Sequence, residues 1–249
     1  LGNPKTINIF ARTVKSYDIV FFSPLTSSET FMKNLLPAFL LTFVVTLSCS
    51  STENCPEKIN SLPMYGRLKK CDEQIKNDNQ FLSECDKNFG NRTEASKYFV
   101  HKGWDYFYKT QYDTAMMRFN QAWLLDSTNA DIYWGFGNLL GIQNQLKESI
   151  PFFERSIKLN PNNPKVWESA STSYGQLFVK TNDIELLKTS IDYLKKAINL
   201  DPNVRTYGQL TAAYTYFTQK DSARKYLAIT DNLDPKVIHP EVRKILNEK

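Results

Sequence analysis

From about Ser96 onward, large apolar side chains recur along the chain at steps of three and four, with polar residues between them. That spacing sets the apolar residues on one side of an α-helix. Short polar breaks interrupt the pattern at Leu125-Asp126-Ser127, Leu159-Asn160-Pro161, Leu200-Asp201-Pro202 and Leu233-Asp234-Pro235. In three of the four a Pro stops the helix, because it cannot continue one and pushes the preceding residue out of the helical region. Strict two-residue alternation is scarce, so the pattern predicts an all-α chain of helices joined by short turns.

Within this pattern the small residues fall into register. One column holds Gly103, Gly137, Ser171 and Thr211, a second Ala115, Ser149, Ser190 and Ala223, and a third Ala122, Ser156, Ala197 and Thr230. Large residues occupy the positions between: Phe99, Tyr133, Trp167 and Tyr207; Tyr106, Leu140, Tyr174 and Tyr214; Phe119, Phe153, Leu194 and Leu227. Small side chains are needed where two helices cross closely, and bulky ones fill the gaps beside the crossing. The period is 34 residues from Ala115 to Ser149 and 41 from Ser149 to Ser190. The seven added residues amount to nearly two helical turns, one for each helix of that pair, with Thr181-Asn182-Asp183 as the raised turn. Thr211 and Thr230, where Ala or Gly would be usual, predict looser packing towards the C-terminus.

These columns resemble the tetratricopeptide repeat, a pair of antiparallel helices repeated in tandem. The resemblance implies a right-handed α-solenoid of about four hairpins (96–129, 130–163, 164–203 and 204–236) within a domain spanning 67–249. A stack of this kind must be capped at both ends. Val242, Ile245 and Leu246, with Val237, predict a capping helix within 237–249, and an amphipathic segment before Phe89 serves the other end. By the same resemblance the first helix of each hairpin lines a concave, partner-binding groove. The positions facing it are Trp104, Phe107, Tyr108, Trp134, Asn138, Ile142, Glu168, Thr172 and Tyr216. Relatives that clamp an acidic C-terminus use Lys, Asn and Arg at set positions. Here Asn138 matches but Val100 stands where a clamp Lys would be, so that ligand is not expected.

Ahead of the hairpins, Leu68, Cys71, Ile75, Leu82, Cys85 and Phe89 form a helical stripe, broken at its middle by Asp78. The break allows one bent helix, two short ones, or a start nearer Asp72. On one helix, Cys71 and Cys85 would be about 21 Å apart, whereas a disulfide needs Cα atoms within roughly 7 Å. Either Cys55 pairs with one of them or they are buried thiols. The segment is also near enough to fold back over Trp104 and Trp134 and fill the groove itself.

Further upstream, Met32-Lys33 precedes an apolar run of about 13 residues, Leu35 to Leu47, then Ser48 and Cys49. This layout is that of an export signal and is too short for a typical membrane span. Thr46-Leu47-Ser48-Cys49 resembles a bacterial lipobox, with Thr46 departing from the usual Leu. The resemblance implies a lipidated Cys49, residues 1–31 upstream of the mature chain, a signal over 32–48, a tether over 49–66, and attachment to a bacterial membrane facing the periplasm.

With 41% hydrophobic and 23% charged residues the composition is that of a globular chain with a sizeable core. The formal charge of +5 falls to +3 without residues 1–48, since 27 basic and 24 acidic residues remain. A balance so near neutral gives no electrostatic case for nucleic acid. His101 and His239 are isolated within the repeat pattern. No phosphate loop, metal-ligand spacing or nucleophile motif is present, so neither a catalytic residue, a metal nor a cofactor is expected. The expected partner is a protein or peptide held in the groove. The other reading is an assembly subunit whose groove is filled by its own N-terminal helix, and an envelope enzyme using Cys71 or Cys85 is the weakest.

Overall fold

The computed structural model describes residues 55–247. The signal, the Cys49 lipidation site and the first part of the expected tether lie outside them. Ten α-helices follow in order: α1 Asp72–Asn88, α2 Arg92–Tyr108, α3 Tyr112–Leu125, α4 Ala130–Ile142, α5 Leu146–Leu159, α6 Pro164–Thr181, α7 Ile184–Leu200, α8 Val204–Tyr216, α9 Lys220–Leu233 and α10 Pro240–Asn247. Single 3-10 turns lie at Ile59–Ser61, Pro63–Arg67 and Pro235–Val237, and the described residues contain no strand.

The helices pair as α2/α3, α4/α5, α6/α7 and α8/α9, and each pair packs on the next to give a right-handed solenoid. All four predicted breaks end helices at the expected Leu, and the first hairpin opens at Arg92, four residues before Ser96. Every hairpin begins with an Asn whose side chain accepts a hydrogen bond from the helix's free N–H groups: Asn91 from Glu94, Asn129 from Asp131, Asn163 from Lys165 and Asn203 from Thr206. The enlarged third hairpin has helices of 18 and 17 residues, against 13 and 14 in the second. Asn182, in the left-handed conformation, and the N-cap Asp183 make its turn.

The small-residue columns mark the crossings. A Cβ at Gly103 would lie 2.7 Å from the Phe119 ring, and one at Gly137 would lie 2.6 Å from the Phe153 ring. Phe119, Phe136 and Phe153 are buried to within 1%. Serines tie helices together, Ser156 and Ser190 of the columns donating to the carbonyls of Ala130 and Ser171, both at 2.9 Å, and Ser96 to that of the column residue Ala122 at 3.1 Å. The fourth hairpin is not looser, as Thr211 and Thr230 suggested. Both are fully buried, and each hydroxyl donates to a carbonyl one turn back in its own helix, Tyr207 at 3.0 Å and Tyr226 at 2.8 Å. The extra methyl therefore fills space without leaving an unsatisfied polar group. At the C-terminus, Val242 and Leu246 close the last apolar face as expected, joined by Ile238, which the pattern did not single out, while Val237 and Ile245 are half-buried.

The N-terminal end departs further from expectation. The helix begins at Asp72, the late start that the broken stripe allowed, so Leu68 lies outside it, and Leu68 and Ile75 are exposed. Phe81, Leu82, Cys85 and Phe89 make the contact, against Ala95, Phe99 and Leu125. Nor are residues 55–66 a free tether. They form a strap on α3, burying Ile59, Met64 and Tyr65. Asn120 of α3, fully buried, donates to the carbonyls of Asn60 at 3.0 Å and Leu62 at 2.9 Å and accepts from the Tyr65 N–H at 3.4 Å. A disulfide joins Cys55 to Cys71 with Cα atoms 5.1 Å apart, while Cys85 is a buried free thiol. Asp78, the break in the predicted stripe, pairs with Lys70, whose ammonium lies 3.3 Å over the Tyr65 ring.

Candidate peptide-binding face

Trp104 sits in the fourth turn of α2 and is surrounded by rings: Phe107 at 5.1 Å, Tyr108 at 6.0 Å, Phe119 at 5.4 Å and Trp134 of the next hairpin at 4.2 Å between centroids. The two tryptophans are half-buried and Phe107 likewise, whereas Tyr108 is 74% exposed. The Trp134 indole N–H donates to the Ser169 hydroxyl of α6 at 2.9 Å, which fixes the ring across the boundary between hairpins two and three. The result is one continuous aromatic face on the first two hairpins, preorganised by ring contacts and a hydrogen bond. Such rings offer large contact area together with polar edges.

The remaining predicted groove residues do other things. Asn138 donates to the Trp134 carbonyl at 2.8 Å, and Ile142 is half-buried at the end of α4. Glu168 is engaged by the fourth hairpin: it accepts from the Asn203 amide at 3.0 Å and from the Thr206 hydroxyl. Thr172 donates to the Glu168 carbonyl at 3.0 Å. Tyr216 packs with the C-terminal cluster, and burial followed by the negative charge of Glu241 pushes its hydroxyl well above the usual tyrosine range. The structure thus joins Trp104, Phe107, Tyr108 and Trp134, places Glu168 and Tyr216 in inter-hairpin and cap packing, and bonds the Thr172 hydroxyl within its own helix.

The N-terminal helix does not fill this face. Its packing is against Ala95, Phe99 and Leu125, at the other end of α2 from Tyr108. The thiol reading also loses ground. Cys71 is in the disulfide, and burial, then the charges of Asp86 and Glu84, push the Cys85 thiol up, against nucleophile activation. His239 accepts from the Glu241 N–H at 3.2 Å at the start of α10, and the exposed His101 pairs with Asp105 at 3.4 Å. Among the described residues no group of His, Cys, Asp or Glu is arranged to hold a metal ion.

Two features went unread in the sequence. Asn120 binds the strap, and its signal was a lone amide next to Phe119 on a face otherwise apolar. Glu154 gathers two tyrosine hydroxyls, Tyr174 at 3.1 Å and Tyr193 at 2.5 Å. Its signal was a carboxylate adjoining Phe153 in the register of Asn120.

No curated protein matches the chain. Among solved structures, YrrB, described as a TPR protein with an unusual peptide-binding site, is 20% identical, with 67% of this chain and 79% of that one covered and a TM-score of 0.52. The crystal structure of MamA is 18% identical, covering 68% and 97%, with a TM-score of 0.49. A second MamA structure, residues 41 to the end from Desulfovibrio magneticus RS-1, is 18% identical, covering 71% and 98%, with a TM-score of 0.42. Residues 130–163, the second hairpin, match the tetratricopeptide repeat family, and the architecture built around that hairpin is the fold of a tetratricopeptide-repeat protein.

Proposed function

We propose that the chain is a protein-interaction scaffold that seats a peptide or helix of a partner on the aromatic face of its first two hairpins. The observation that carries this reading is the Trp104–Trp134 pair at 4.2 Å with the exposed Tyr108 beside it. Aromatic residues presented on a rigid helix pair are what a binding hot spot requires, because their area is large and little conformational freedom is lost on binding. The likeness to YrrB supports the fold on which this reading rests.

The scaffold works at the cell envelope, exported by the segment before Cys49 and held at a bacterial membrane by a lipid on that cysteine. The Cys55–Cys71 disulfide supports an oxidising compartment. Among the described residues no helix is long and apolar enough to cross a membrane.

A photo-crosslinking amino acid at Tyr108, in cells expressing the full chain, tests the binding face. A defined partner should be captured, and Trp104→Ala or Trp134→Ala should reduce its yield while the fold persists. Capture that is indifferent to both substitutions removes this reading. Globomycin arrest of processing and loss of membrane attachment in Cys49→Ala test the anchor separately.

A further inference from the structure

A second cluster of rings lies where α5, α6 and α7 meet. Trp167 and Tyr174 of α6 both contact Tyr193 of α7, with centroids 4.9 and 5.3 Å away. All three are half-buried, and so is Glu154 of α5. Both tyrosine hydroxyls donate to the same carboxylate oxygen, Oε1 of Glu154. Oε2 receives no hydrogen bond, and Glu154 forms no ion pair among the described residues. Burial, and then the Glu154 charge, pushes the Tyr174 hydroxyl up to about 12.

The other hairpins give this cluster its meaning. In the first, the Arg118 guanidinium lies 5.7 Å over the Tyr106 ring. In the second, that of Arg155 lies 5.7 Å over Tyr133. In the fourth, Tyr207, Tyr214 and Tyr226 occupy the positions of Trp167, Tyr174 and Tyr193, and the Lys195 ammonium lies 5.8 Å over Tyr214. Lys195 also stands in the register of Glu154, one place after Leu194 as Glu154 is one place after Phe153. The first two hairpins therefore supply a cation to a tyrosine of their own, and the third supplies Lys195 to a tyrosine of the fourth. The third, with the largest aromatic trio, instead receives the Glu154 carboxylate of the second hairpin at the register of Lys195, and among the described residues no cation lies over its rings.

We propose that Glu154, Trp167, Tyr174 and Tyr193 form a docking site for a lysine or arginine side chain of a partner protein, separate from the Trp104–Trp134 face. The ring faces attract an organic cation through their quadrupoles, and the carboxylate adds charge where partial burial weakens screening by solvent. The tyrosine bonds occupy Oε1, so Oε2 is open to an incoming N–H donor. Three aromatic surfaces and one carboxylate also favour a cation over a neutral side chain of equal length.

The test is titration of the full chain with acetylated, amidated Gly-Lys-Gly and Gly-Arg-Gly, using Gly-norleucine-Gly as the uncharged control. The reporter is the NMR signal of the Trp167 indole N–H, which is held by the Pro161 carbonyl at 2.8 Å. The cationic peptides should shift that signal saturably and the norleucine peptide should not. Glu154→Gln keeps an acceptor for both hydroxyls and removes only the charge, so affinity should fall at least about tenfold. Glu154→Lys places an ammonium where Lys195 stands one hairpin later, and should abolish the shift with the helical content unchanged. No saturable shift in the native chain, an equal response to norleucine, or unchanged affinity in Glu154→Gln overturns the proposal. Should Glu154→Gln disturb the fold, Glu154→Lys decides alone, and undiminished binding in it overturns the proposal.

Discussion

The first two hairpins and the last two solve the same packing problem with different side chains. Where α2 and α4 cross their partners there is no side chain at all, and the Phe119 and Phe153 rings press into the space left at Gly103 and Gly137. The third and fourth hairpins place Ser171 and Thr211 there instead, both buried. A hydroxyl that bonds a carbonyl of its own helix can be buried at little cost, so volume alone decides which residue fits. The two ends of the stack differ in the same sense. The C-terminal end is closed by apolar side chains of α10, the N-terminal end by backbone groups held on the Asn120 amide and enclosed by a disulfide. Both ends bury apolar side chains, but only the N-terminal one adds a buried amide bonded to backbone groups and a covalent loop around them.

Reducing Cys55–Cys71 should therefore give the largest effect. The bridge spans 16 residues in sequence, for which lost loop-closure entropy is worth about 3 kcal/mol. Urea unfolding with and without reductant should show that loss, and protease cleavage should move into residues 56–70. The Cys71→Ser variant should behave like the reduced chain and be indifferent to reductant. If reduction leaves both stability and cleavage unchanged, the strap is held by Asn120 and its apolar contacts alone.

Next comes the contrast between crossings. Gly137→Leu drives a side chain into the Phe153 ring, and overpacking of this kind costs about 1 to 3 kcal/mol. Thr211→Val removes one hydroxyl and keeps the volume, leaving the Tyr207 carbonyl in the helix ladder, so its cost should stay below about 1 kcal/mol. Thermal melts of the two variants should differ in that order. Equal costs would mean that the hydroxyl of Thr211 contributes more than its volume.

These differences also explain what could be read without coordinates. Gly103, Gly137, Ala115 and Ser149 were legible because a crossing demands a small residue at a fixed spacing, whatever lies around it. The seven-residue enlargement was legible because whole helical turns preserve the inward phase. The strap was not, because it is held by backbone groups of residues 60–65, and backbone groups leave no trace in residue identity. Leu68 and Ile75 misled for a related reason: a three-and-four stripe assigns residues to a face but cannot show how much of that face is covered, and α1 is covered only from Phe81 onward. Among the positions assigned to the groove, Trp104 and Trp134 stack on each other because rings that large must either stack or be exposed. The engagement of Glu168 was not legible, since its partners Asn203 and Thr206 lie 35 and 38 residues on.

The smallest effect, and the sharpest in sign, separates two carboxylates at opposite ends of the molecule. Asp131 of α4 is raised above the ordinary value of 3.8, chiefly by burial and only partly offset by a hydrogen bond from Asn163. Asp231 of α9 is lowered, chiefly by its hydrogen bonds to Arg243 of the cap, one of them 2.9 Å long. A native carboxyl that binds its proton more readily than the unfolded chain gains stability as pH falls through its raised pKa towards 3.8. One that binds it less readily keeps its contribution above 3.8 and loses it as pH falls further, through the lowered pKa. Asp131→Asn should therefore flatten the acid-side rise in unfolding free energy between neutral pH and about pH 4, and Asp231→Asn should flatten the fall below it. Asp231 is partly exposed, so solvent screening keeps its share small and added salt should shrink it further. Urea unfolding across that range, in native and singly substituted chains, reads both slopes. If Asp131→Asn follows the native curve down to about pH 4, the second hairpin does not desolvate that carboxyl, and the first half of the stack is packed less closely at Asp131 than its glycine crossings imply.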